Sequence, residues 1–123
     1  MILIDTSIWV DHLRTPNATV ARLLEDREVL VHPFVIGELA LGNLQHRRPV
    51  LDTLSLLPQA VVASHDETLE FVDRHRLFGF GIGYVDAHLL ASARLTSGAT
   101  LWTRDKRLRR ATDRLASTAK FPS

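Results

Sequence analysis

The stretch MILIDTSIWVDHLR, residues 1–14, changes its periodicity at one position. MILI is a short continuous apolar run, the pattern of a strand buried on both faces. It stops at Asp5, and TSIWVDHLR then has helical spacing and ends before Pro16. A strand that passes at once into a helix is the start of a β–α unit, and the same alternation can be followed outward along the chain. NATVARLLED opens on Asn17, a good N-cap, and places Val20, Leu23 and Leu24 on one side of a helix. EVLVH is the next strand candidate. Pro33 then suits the first turn of a helix carrying FVIGELALG, residues 34–42, which Gly42 or Asn43 can close. A helix is predicted over Pro49–Leu57, and AVVA, residues 60–63, reads as a third strand. Ser64 and Glu67 form a capping box ahead of TLEFVDRHRLFG. GFGIG, residues 79–83, is a connector. YVDAHLLASARL is helical, TLW a fourth strand, KRLRRATDRLA a basic helix, and ASTA a short last strand.

Strands alternating with helices predict an α/β fold: a three-layer α/β/α sandwich with a central, mostly parallel sheet. The 123 residues fit one domain, 1–123, and 46% hydrophobic residues can fill its core. No cysteine is present, so neither disulfides nor thiolate metal sites are expected. No apolar run is long enough to span a bilayer. The first residues lack the positive start and long apolar stretch of a secretory signal, so a cytoplasmic protein is expected. The net charge of +1 is uneven: residues 94–123 hold eight Lys or Arg against two Asp, and residues 1–93 hold seven against twelve acids. A basic end on an acidic body suits a phosphate-rich partner, and equally a solvated helix with outward arginines.

In open parallel sheets, sites form at the carboxyl ends of the strands. Asp5 follows MILI there, and Asp105 follows TLW. Two further acids are conspicuous. Glu38 is the one charge in FVIGELALG, where an unpaired buried carboxylate would cost several kcal/mol. Asp86 begins a helix otherwise apolar or small apart from His88. Each has a plain structural reading: an N-cap for Asp5 and Asp105, a favourable helix-dipole position for Asp86, a water-facing side chain for Glu38. As a set they suggest convergence. Like charges in proximity raise each other's pKa, and a hard divalent cation such as Mg2+, held by oxygen ligands, relieves this and can activate water at a phosphoryl centre.

The segments LIDTSIWVD, GELALG, YVDAHLLASA and LWTRDKRL, in this order and spread over nearly the whole chain, resemble the four acidic motifs of the PIN-domain ribonucleases, above all the VapC-type toxins of bacterial toxin–antitoxin pairs. The resemblance implies a metal-dependent endoribonuclease with Asp5, Glu38, Asp86 and Asp105 as its acidic cluster. Asp5 and Asp86 would be the central ligands of Mg2+, or of Mn2+, and Thr103 a polar residue arranging the site. Many relatives carry a further acid two places beyond the fourth one; this chain has Arg107 there, which leaves one or two metals open. The resemblance further implies transfer or ribosomal RNA as substrate, a homodimer, and a VapB-type antitoxin lying near Phe34–Leu41 and reaching the acidic cluster. Arg104, Lys106, Arg107, Arg109 and Arg110 are candidates for RNA phosphate contacts, which position without specifying sequence.

Other motifs carry less. The six histidines show no metal-ligand spacing. Ser7, Ser64 and Ser92 lack the context of a hydrolase nucleophile. GFGIG is not a dinucleotide fingerprint, and Trp9 and Trp102 suit core packing. Two rival readings are a phosphoacceptor signalling domain and a nucleic-acid-binding module without catalysis. The first needs its acceptor Asp at the end of the central strand, and the strand read as the middle one, QAVVA, runs into Ser64 and His65.

Overall fold

A computed structural model describes residues 1–119; the last four residues of the 1–123 domain expected from sequence lie outside the described residues. Along the chain run β1 (Ile2–Ile4), α1 (Thr6–Arg14), α2 (Ala18–Glu25), β2 (Val29–Leu30), α3 (Pro33–Ala40), α4 (Arg47–Leu56), α5 (His65–His75), α6 (Tyr84–Leu95), β3 (Thr100–Trp102) and α7 (Lys106–Arg114). The strands form a parallel sheet of order β2-β1-β3. Ile2 pairs with Val29 on one side and Thr100 on the other, and Ile4 with Trp102. The helices pack around this sheet as the α/β/α sandwich expected.

Local chemistry sets most helix starts. Asp5, Asn17, Ser64 and Asp105 accept backbone N–H bonds as N-caps of α1, α2, α5 and α7, and the Ser64–Glu67 capping box is complete. Pro33 occupies the first turn of α3 behind His32, whose Nδ1 accepts from the Phe34 N–H at 3.0 Å. His32 is fully buried and its Nε2 meets Ser92 Oγ at 3.1 Å. Burial, with His88 nearby, holds its pKa down to about 4, so the ring is a neutral core residue. α3 ends at Ala40 with Leu41 as its cap in right-handed conformation, so neither Gly42 nor Asn43 is used as the left-handed terminator that sequence suggests. α4 begins two residues before Pro49, which falls in its first turn, where a missing N–H costs nothing.

The core joins the sheet to the helices through Leu3, Ile4, Ile8, Leu89, Leu90, Leu101 and Leu108, with both tryptophans buried among them. Burying side chains of this size contributes about 1.5–3 kcal/mol each. α6 is buried at every residue from Ala87 to Ala93, which makes it the central helix of its layer.

Two strand expectations fail. AVVA is not a strand: residues 59–60 meet the sheet only through a parallel bridge from Gln59 to Val31 and the Ala60 N–H bond to the Val31 carbonyl. Beyond that point the N–H of Val61 goes to Thr96 Oγ1 at 2.9 Å and that of Ala63 to Ser92 Oγ at 3.2 Å. Hydroxyls of α6 and of its C-cap residue take the place of a neighbouring strand, and Val61 and Val62 stand 51% and 48% exposed. ASTA likewise supplies only a parallel bridge, Thr118 to Leu101. Among the described residues no helix is long and apolar enough to cross a membrane.

Candidate active site

The carboxyl ends of β1 and β3 deliver Asp5 and Thr103 side by side. Asp5 is 6% exposed and its carboxylate accepts from three donors, one on Oδ1 and two on Oδ2. Oδ1 accepts from the Thr6 N–H at 2.7 Å; Oδ2 accepts from Ser7 Oγ at 2.9 Å and from Thr103 Oγ1 at 2.7 Å. Thr103 in turn accepts from the Asp105 N–H at 3.0 Å, and Ser7 from the Arg104 N–H at 3.2 Å. The turn between β3 and α7 is thus tied to the turn between β1 and α1. Asp105 Oδ1 accepts from the Leu108 N–H at 2.9 Å, so the N-cap reading of both strand-ending acids holds, alongside whatever chemistry they perform.

Glu38 is exposed, near the end of α3, and its Oε1 accepts from Thr6 Oγ1 at 2.6 Å. That bond brings a residue 32 positions away to the neighbour of Asp5. Asp86 sits in the first turn of α6. Burial, then the carboxylates of Asp5 and Asp105 and last that of Glu38, push its pKa up from 3.8 to about 6, against a hydrogen bond from the Gly83 backbone that pulls it down. The field at Asp86 therefore contains all four acids that the sequence singles out.

As the side chains stand, no group of three or more His, Asp or Glu among the described residues is arranged to hold a metal ion. Asp5 faces Ser7 and Thr103, and Glu38 faces Thr6. The donor set nonetheless fits a hard divalent cation. It consists of carboxylates and hydroxyls alone, and a cation would relieve the repulsion that raises Asp86.

The basic residues are less free than the charge count suggests. Arg104 Nη1 pairs with Asp11 at 2.9 Å, and Arg109 Nε lies 3.7 Å from Asp113. Arg110 lies over the Phe80 ring at 5.5 Å, joined on that ring by Arg114 at 5.4 Å, a residue the sequence reading did not select. The Arg107 stem covers Gly81, where a Cβ would come within 3.0 Å of its Cδ. Lys106 is exposed in the first turn of α7. Thr6 and Ser7, which the sequence does not single out as site-supporting, join Glu38 and Asp5 through their hydroxyls, and their signal is the hydroxyl pair directly after Asp5 in IDTS.

The segment Phe34–Leu41, near which the resemblance implies an antitoxin, is only partly exposed. Phe34 packs edge-on against His88 at 4.7 Å, Val35 and Leu39 enter the core, and Leu41 is 91% exposed. A groove of about 630 Å³ runs between α1, α3 and the start of α4, lined by apolar Val10, Leu13, Leu39, Leu44 and Val50 and by polar Arg14, Glu38, Asn43, Gln45 and His46.

Comparison with known proteins agrees with this architecture. The PIN domain profile matches residues 2–114. The chain is 55% identical over 111 residues to "Ribonuclease VapC32" of Mycobacterium tuberculosis, from the CDC 1551 / Oshkosh strain and from H37Rv alike, covering 90% of each chain. The crystal structure of PAE2754 from Pyrobaculum aerophilum superposes with a TM-score of 0.57 at 20% identity, covering 95% of this chain and 90% of that one, a likeness of fold. A shared profile over most of the chain, and majority identity to named ribonucleases over nine-tenths of their length, place this protein in the PIN-domain family, among its VapC-type ribonucleases.

Proposed function

We propose that the protein is a divalent-metal-dependent endoribonuclease of one domain that acts as the toxin of a toxin–antitoxin pair in the cytoplasm, cutting transfer or ribosomal RNA and so stopping translation. What supports this is the convergence of the acids at the carboxyl end of a parallel sheet: Asp5 is tied through Thr103 to Asp105, its neighbour Thr6 donates to Glu38, and burial together with these carboxylates raises the pKa of Asp86. Asp5 and Asp86 would hold Mg2+ or Mn2+. A cation held there would supply positive charge to the phosphoryl oxygens and make the attacking water more acidic. Thr103 and Ser7 fix the Asp5 carboxylate by donating to Oδ2. Glu38, oriented by Thr6, and Asp105, oriented by the start of α7, would accept hydrogen bonds from the attacking water and aim it in line with the leaving oxygen. Water oxygen bonds to phosphorus as the phosphorus–ester oxygen bond breaks; a carboxylate takes the water's proton, and the departing oxygen takes up a proton from solvent and leaves as the alcohol. Phosphate contacts fall to Arg104, Lys106, Arg107, Arg109 and Arg110, with Arg104 and Arg109 exchanging Asp11 and Asp113 for RNA.

The groove between α1, α3 and α4 suits an amphipathic antitoxin helix of VapB type, followed by an extended segment that places an Arg or Lys among the acids. A homodimer follows from the same family expectation. The phosphoacceptor alternative is set aside by the family, not by the earlier strand argument, since β1 is the central strand and does end in Asp5. Mapping of new RNA ends after induced expression tests the function. Cuts that vanish on Asp86→Asn, on chelation in vitro, and on co-expression with a VapB-type antitoxin are expected; cutting that survives Asp86→Asn rejects the metal-site assignment.

A further inference from the structure

A row of rings leads away from the acids across α3, α6 and α5. Phe34 lies one turn before Glu38 on α3, and its ring centroid is 4.7 Å from that of His88. His88 meets Tyr84 edge-to-face at 4.5 Å and 82°, and Tyr84 meets His65 at 5.6 Å. The row runs from buried His88 to Tyr84, 47% exposed and two residues before Asp86, and to exposed His65.

The outer rings are held firmly for surface residues. His65 is the first residue of α5, directly behind the Ser64–Glu67 capping box, and its Nδ1 lies 2.7 Å from the Tyr84 hydroxyl. His88 supports Tyr84 from below and is itself fixed by buried Thr68, 3.2 Å from its Nδ1. A rigid, half-exposed ring loses little entropy when it takes a planar partner, and single-stranded RNA is gripped mainly by stacking of unpaired bases on such rings. The ring's polar rim, Tyr84 hydroxyl and His65 imidazole, suits a heteroaromatic base better than an aliphatic protein side chain. Position decides the rest. The loop that leads into Tyr84 runs along the basic helix α7: the Arg107 stem covers Gly81, and Arg110 and Arg114 lie over the Phe80 ring.

We propose that Tyr84, backed by His88 and held by His65, is the stacking platform for an unpaired RNA base flanking the scissile phosphate. This rests on the ribonuclease reading. A strand crossing the acids would give its phosphates to α7 and one base to Tyr84.

The test needs no knowledge of the natural target. A fluorescein-labelled ten-nucleotide oligoadenylate and an abasic oligomer of equal length and charge are titrated with the full chain in chelator, which prevents cutting. Tyr84→Leu keeps bulk over His88 without a π face, and Tyr84→Phe keeps the face without the hydroxyl. Tyr84→Leu is expected to weaken oligoadenylate binding about 10-fold and leave abasic binding unchanged, and Tyr84→Phe to remain within about twofold of the parent. Equal losses on both oligomers, no loss on either, or no oligoadenylate binding by the parent would overturn the platform. Equal losses together with a fall in the mass measured by light scattering would instead assign the ring to a protein interface. Incubating the parent with total RNA and Mg2+ tests the underlying reading separately: no new ends there defeats the ribonuclease, while the ratio between the oligomers still reports on Tyr84.

Discussion

Replacing Asp86 with Asn should stabilise the metal-free protein, and by an amount that depends on pH. The folded pKa of Asp86 is about 6 against an ordinary 3.8. The folded chain therefore binds this proton more tightly than the unfolded chain, and stability falls as pH rises from about 4 through about 6. At about 1.4 kcal/mol for each tenfold change in proton affinity, the full penalty above pH 6 is about 3 kcal/mol. Asp86 is partly open to solvent, which screens its neighbours, so about 1–2 kcal/mol is the realistic loss. Asn has the same shape, keeps an oxygen for the Gly83 N–H, and carries no charge. In EDTA at pH 7.5 the melting temperature of Asp86→Asn should exceed the parent's by roughly 3–8 °C. The gap should close as pH falls toward 4, where parent Asp86 is itself neutral. Saturating Mg2+ should raise the parent's melting temperature more than the variant's. No gain at pH 7.5, or the same gain at pH 4, would show that Asp86 does not sit in the repulsive field described.

Asp5→Asn should abolish RNA cleavage while α1 stays capped, because Asn is as good an N-cap as Asp; circular dichroism and a cleavage assay read the two effects apart. Thr103→Val removes the donor to Asp5 Oδ2 and the acceptor for the Asp105 N–H, and should lower kcat at least about 10-fold by loosening both acids. Gly81→Ala places a Cβ 3.0 Å from Arg107 Cδ at φ +77°, so a loss of about 1–2 kcal/mol is expected in denaturant melts. Arg107→Ala in the same chain should recover only the contact and not the backbone strain. Leu13→Asp, on the exposed wall of the groove proposed for the antitoxin, should prevent co-purification of the antitoxin while the fold is kept, and light scattering should give twice 13.8 kDa for the toxin alone.

The strand–helix alternation was legible because MILI and TLW are apolar runs that stop at a polar residue, and because Asn17, Pro33 and Ser64 mark helix starts through their own chemistry. The four acids stood out for the same reason, as charges in apolar surroundings. AVVA misled because an apolar run records burial and says nothing of what accepts its N–H groups. The acceptors, Ser92 and Thr96, lie about 30 residues further on. Thr6 and Ser7 escaped because a hydroxyl after a strand is the commonest of caps. Their tie to Glu38 and to Arg104 depends on how α3 and the β3–α7 turn are placed, which no local spacing encodes. FVIGELALG was legible as a helix, and α3 spans Pro33–Ala40. The groove beside it needed α1 and the start of α4 as walls, and these come from segments whose own patterns look ordinary.

The bonds from Ser92 and Thr96 to residues 61 and 63 also bear on colloidal behaviour. A sheet margin with vacant N–H groups is a template onto which another chain can add a strand, the first step toward fibrils. Beyond the bridge at Gln59, this margin would offer such donors at Val61 and Ala63, flanked by two exposed valines. Hydroxyls of a buried helix and of its C-cap residue occupy both donors instead. The surface valines are thereby denied the backbone pairing that would make them adhesive, and resistance to self-assembly is written into α6.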